Sequence, residues 1–188
     1  MTSVLFVITA ATGWTLRDGT VHPTGYWAEE VAEPYRVFSE AGWDITVATP
    51  GGVAPTLDEL SLGVAGGRPK KRQEIRDYLE SIKDVLDHPV ALDSVDEADY
   101  DVVFYPGGHG PMEDLAVDPV SGELLKRRLA SGKPLALLCH APVAVLAQGL
   151  EAHHAGRRLG DAAERTDEVD LDDPVERVQR EVLDRAVL

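Results

Sequence analysis

The sequence predicts an α/β domain built on a mostly parallel, doubly wound sheet, and three observations lead to that fold class. Short apolar runs rich in β-branched residues recur along the chain. The stretches between them carry apolar positions at helical spacing, and each run stops at a glycine or proline cluster. Strands alternating with helices bury both sheet faces, which is how a parallel sheet acquires near-continuous apolar strands.

The first strand is read at residues 3–9 (SVLFVIT). A helix follows over 28–41, with Val31, Tyr35, Phe38 and Ala41 on one face. Pro34 inside it is expected to kink or divide the helix, and Gly42 to cap it. Residues 44–49 (DITVAT) form the second strand, closed by Pro50-Gly51-Gly52. Residues 53–97 are an excursion with a basic patch (Arg68, Lys70, Lys71, Arg72) and a helix near 73–86. The next strand is 100–105 (YDVVFY), stopped by Pro106-Gly107-Gly108, and a helix is expected over 120–130. Residues 135–138 (LALL) read as another buried strand, and a helix begins at 141–149 with Pro142 in its first turn. The organisation is therefore a domain over 1–149 and a tail over 150–188 of different character. The tail has no aromatic residue, 11 Asp/Glu and 6 Arg. It ends in an expected amphipathic helix, begun at Asp173-Pro174-Val175-Glu176 and striped by Val175, Val178, Val182 and Leu183.

With 188 residues, 44% of them apolar, the chain has material for one real core. Its net charge of −15 repels nucleic acid and anionic membranes, so neither is expected as a partner. The single cysteine excludes an internal disulfide and fits a reducing, cytoplasmic compartment. The apolar N-terminal run lacks a preceding basic residue and is too short to span a bilayer, so it reads as a strand and not as a signal peptide.

Cys139 is the foremost candidate for chemistry. It sits where a strand ends and a helix begins, facing unpaired N–H groups that would stabilise a thiolate. The mechanics resemble a nucleophile elbow. His140, next in sequence, could serve as acid or base, or as a plain turn residue. A carboxyl near the thiol would shuttle protons; Glu29 and Glu30 are both placed for it, and the residues alone do not choose. Gly107-Gly108-His109-Gly110 could point N–H groups at an oxyanion, though a plain turn is the other reading. His109 and His153-His154 lack a metal-ligand spacing, so no metal is predicted.

Three segments carry a family resemblance: TGYWAEEVAEPY at 24–35, DYDVVFYPGGHGPMEDL at 99–115 and KPLALLCHAP at 133–142. Together they resemble the ThiJ/PfpI superfamily, the class I glutamine amidotransferase-like proteins, nearest the heat-shock protein 31 branch. The resemblance implies a flavodoxin-like sandwich with helices on both faces, a homodimer and no cofactor. It implies Cys139 as nucleophile and His140 as its partner, and it selects Glu30 over Glu29. It also implies that N–H groups of Gly107-Gly108 and of Ala141 or His140 hold a substrate oxygen. The implied activity is glutathione-independent glyoxalase III or deglycase chemistry on methylglyoxal-like dicarbonyls or glycation adducts. A non-catalytic stress chaperone or redox sensor of the same fold is the alternative. The family normally supplies further strands after the cysteine, and a carboxylate that orients the histidine. The tail departs from that pattern, with Asp167, Glu168 or Asp170 as stand-ins. On one reading this predicts a divergent or frameshifted relative with a truncated sheet and an exposed apolar edge.

Overall fold

A computed structural model describes residues 1–152, with side chains described as far as Ala147. The expected helix over 173–183 lies outside the described residues. Five parallel strands form the sheet: β1 (Ser3–Val7), β4 (Asp44–Thr49), β5 (Val90–Ala91), β6 (Val102–Tyr105) and β7 (Leu135–Leu137), in the order β5-β4-β1-β6-β7. Apart from two-residue β5, this is the flavodoxin-like order, with central β1 flanked by β4 and β6. A separate antiparallel hairpin, β2 (Gly13–Thr15) and β3 (Val21–Pro23), leaves the C-terminal end of β1.

β1 explains the layering. Successive side chains on a strand point to opposite faces. Val4, Phe6 and Ile8 enter one core, and Leu5 and Val7 enter the other; all five are fully buried. On the first face lie α1 (Ala28–Glu40) and α2 (Pro69–Ser81), which contribute Val31, Tyr35, Ile75 and Leu79. Phe6 is the hub there, with Phe104 and Tyr35 rings at 4.8 and 5.7 Å. On the second face lie α4 (Pro119–Ser131) and a 3₁₀ segment, Ala141–Ala152. Gly122 of α4 permits their contact, since a Cβ there would stand 2.7 Å from the Ala147 backbone. Asp118 caps α4 by accepting from Ser121 N–H at 2.8 Å, with Pro119 in the first turn.

Several expectations are corrected. α1 is not divided by Pro34 and runs as one helix to Glu40; Ala41 caps it and Gly42 follows at φ +73°. The helix expected at 73–86 is two, α2 and α3 (Lys83–Asp87), broken at Ile82. The strand expected to be buried at 135–138 is instead the outermost strand among the described residues. Ala136 is exposed and Leu138 is 39% exposed. The segment after Cys139 is 3₁₀ and not α-helical. No helix among the described residues is long and apolar enough to cross a membrane.

Candidate active site

The site lies at the carboxyl ends of β1, β6 and β7, beside the switch point between β1 and β6, where ligands bind in open α/β sheets. Leu138 continues the ladder by donating its N–H to Tyr105 O at 3.0 Å, and Ala141 N–H then closes a turn onto Leu138 O at 3.0 Å. Cys139 at the apex has φ +56°, the single positive φ of a non-glycine residue among the described ones. An L-residue held there costs of order 1–3 kcal/mol. The sharp turn expected at the cysteine is present.

Glu30 reaches the turn from the first turn of α1, and the reason is Gly107. The Gly107 N–H donates to Glu30 Oε2 at 2.8 Å, and the Gly107 carbonyl accepts from Trp27 N–H at 3.2 Å. A Cβ on residue 107 would lie 2.6 Å from Leu138 O, 2.7 Å from Glu30 Oε2 and 2.8 Å from Cys139 Cβ. Three chain segments meet there because no side chain intervenes. Gly108 has φ +103°, and a Cβ on it would overlap Gly25 O at 2.5 Å. Glu29 has no corresponding contact; Glu30 is the carboxylate at the thiol.

Burial first, then the charge of Glu30 and a hydrogen bond to its carboxylate, push the Cys139 thiol pKa up. The N–H groups of Gly108 and His140 face the sulfur and offset this only in part. The thiolate stabilisation expected from a helix start is thus outweighed by burial first and by the neighbouring carboxylate second. Cys139 is exposed as a residue, with Glu30 as its neighbouring carboxylate. Nδ1 of His140 stands 3.2 Å from the sulfur, close enough to exchange its proton. Of the four candidate N–H donors, that of Gly107 is bonded to Glu30 and that of Ala141 to Leu138; those of Gly108 and His140 remain turned to the sulfur.

No carboxylate among the described residues lies within ion-pair distance of the His140 ring. Asp167, Glu168 and Asp170 fall outside the described residues. What the sequence reading missed is an aromatic wall beside the turn. His109 lies 5.0 Å from the His140 ring, Trp14 of β2 stacks on His109 at 5.7 Å, and His22 of β3 meets it at 6.2 Å. Behind His109 is buried Asp58, which accepts from Thr24 Oγ1 at 2.6 Å and Leu60 N–H at 2.9 Å. The Asp18-Gly19 turn was the available signal for this hairpin. No three His, Cys, Asp or Glu side chains among the described residues converge as metal ligands. A hollow of about 550 Å³ between Leu92 and Arg127 contains none of the site residues.

The family pattern of DJ-1/PfpI proteins matches residues 21–159. The chain belongs to the DJ-1/PfpI family. Among curated proteins this DJ-1/PfpI chain is 28% identical over 141 residues to the protein/nucleic acid deglycase HchA of Staphylococcus aureus. That alignment takes in 72% of the chain and 46% of the relative, so the chain spans about half the length of the curated relatives it matches. Glyoxalase III from Candida albicans superposes with a TM-score of 0.61 at 24% identity, over 76% of this chain and 59% of that one. The Francisella tularensis Rapid Encystment Protein 24 KDa superposes at 0.62 and 22%, over 77% and 61%. Both likenesses bear on the fold.

Proposed function

We propose that this DJ-1/PfpI chain is a cysteine-dependent, glutathione-independent enzyme that converts methylglyoxal-like dicarbonyls to 2-hydroxy acids. The carrying observation is the placement of the Glu30 carboxylate on the Gly107 N–H, against a thiol that His140 Nδ1 contacts at 3.2 Å. The thiol gives its proton to His140 as its sulfur bonds to the aldehyde carbon. His140 returns that proton to the new alkoxide, giving a hemithioacetal. The N–H groups of Gly108 and His140 are the donors available to the alkoxide as its charge develops. Glu30 then takes the proton from the sulfur-bearing carbon and returns it to the neighbouring carbon, while the hydroxyl proton on the first carbon passes to the second oxygen. The product is a thioester of a 2-hydroxy acid, which water cleaves to the free acid and the thiol. Covalent catalysis divides the reaction into easier steps. Early glycation adducts present the same hydroxy-carbonyl unit, and the deglycase and glyoxalase III names of the relatives support both substrates.

The redox-sensor reading draws support from the exposure of Cys139. It needs a resting thiolate, and burial together with Glu30 opposes one. The test is loss of methylglyoxal without glutathione, with lactate as product. Cys139→Ala is expected to lower turnover at least about 10³-fold. Equal rates in both proteins would end the enzyme reading.

A further inference from the structure

His109 follows Gly108, whose N–H faces the Cys139 sulfur, and its ring lies 5.0 Å from the ring of His140. The reaction written above gives it no task. Trp14 stacks on it nearly parallel, at 5.7 Å and 8°, and His22 meets it edge-on, so hairpin β2–β3 fixes the ring plane. Among the described residues its buried Nδ1 has no hydrogen-bond partner, and it faces Asp58 Oδ2 at 3.7 Å. The side chain is nevertheless 31% exposed, so the exposure belongs to the rest of the ring. A buried polar atom without a partner is costly, and it marks a contact made in some other state of the site. The state that satisfies it carries a proton on Nδ1, turned to the Asp58 carboxylate. Apo geometry at catalytic groups is commonly long and tightens in the substrate complex.

We propose that His109 is a second catalytic imidazole that serves the carbonyl oxygen Cys139 does not attack, with Asp58 as its positioning residue. The proposal rests on the dicarbonyl reading and supplies the partner which that reading lacks for the second oxygen. When Glu30 removes hydrogen from the sulfur-bearing carbon, that electron pair forms a carbon–carbon double bond. The π bond of the neighbouring carbonyl breaks, and its oxygen takes a proton from His109 Nε2. The intermediate is an enediol with both oxygens on one side. As Glu30 returns its proton to the second carbon, the hydroxyl on the sulfur-bearing carbon gives its proton to His109. No net proton is consumed, and no oxidant or reductant enters. Asp58 supplies the countercharge for a ring protonated on both nitrogens, and the other titratable groups facing that ring are His22 and His140.

The test compares the full chain with His109→Asn and Asp58→Asn. Methylglyoxal turnover is measured beside two probes of the thiol alone. These are iodoacetamide labelling of Cys139 and inhibition by propanal, an aldehyde with a single oxygen. His109→Asn is expected to lower kcat about 10²-fold while leaving labelling and propanal inhibition unchanged. Asp58→Asn can still accept from Leu60 N–H, and is expected to lower kcat about tenfold with KM and propanal inhibition unchanged. A His109→Asn chain with kcat within about threefold of native overturns the proposal, as does parallel loss of turnover, labelling and propanal inhibition. Asp58→Asn that moves all readouts together would make Asp58 structural and remove it from the scheme. A native chain that leaves methylglyoxal untouched sinks the dicarbonyl reading and this proposal with it. Native turnover that survives His109→Asn sinks the proposal alone.

Discussion

The two sides of the candidate active site are built differently. The inner side, where α1 meets the Gly107–Gly108 loop, is held by close backbone approach: Gly107 bonds Glu30 and Trp27, and there is no room at residue 107 for a methyl group. The outer side is β7 and the Cys139 turn, on a half-exposed strand paired on one side among the described residues. Glu30 is placed by packing, and Cys139 by a backbone held at φ +56°. Such a division keeps the carboxylate fixed while leaving the sulfur reachable.

The strongest way to break this comparison is Arg128→Leu. Arg128 is fully buried and donates to the carbonyls of Glu97, Tyr100, Asp101 and Pro134, tying the start of β7 to the loop before β6. Removing it orphans four acceptors and should cost roughly 3–5 kcal/mol, read as a lowered Tm. Hydrogen exchange should accelerate first at Leu137 and Leu138 and last at Phe6 and Val7. Uniform acceleration would show that the two sides are one cooperative unit. Next in size is Gly107→Ala, which strikes the inner side. Displacing Glu30 from Cys139 by its Cβ should cost about 1–3 kcal/mol of stability, and turnover should fall about 10²-fold. Native turnover in this variant would mean that the close approach is slack. The smallest effect sharpens the electrostatic side. Glu30 raises the thiol pKa, so Glu30→Gln should lower it, and the pH midpoint of iodoacetamide labelling should move down. Above the native midpoint, the higher of the two, the rates should converge. A midpoint unmoved or moved upward would show that burial alone sets the thiol.

How much of this was legible in the sequence follows from range. β1, β4 and β6 were readable because each is an apolar run long enough to declare a period, and α4 because Asp118-Pro119 and Gly132 mark its ends. β5 was not readable, since two residues carry no pattern. β7 misled because LALL looks identical on a central and an outer strand; position in a sheet is a property of the neighbours. At the site, Cys139 and His140 are adjacent in sequence and stood out. Glu30 needed the resemblance to separate it from Glu29. The contacts of His109 with Asp58 and with Trp14 are made by folding alone, and no local spacing announces them.

Pro34 has no N–H to give to the Glu30 carbonyl four residues earlier, so the missing rung of α1 falls on the residue whose side chain faces the thiol. In the proposed reaction that carboxylate lifts hydrogen from one carbon and sets it down on the next, roughly 1.5 Å away. Gly107 holds that carboxylate by Oε2, so the transfer asks a proton to move over one bond length and does not ask the carboxylate to leave its place.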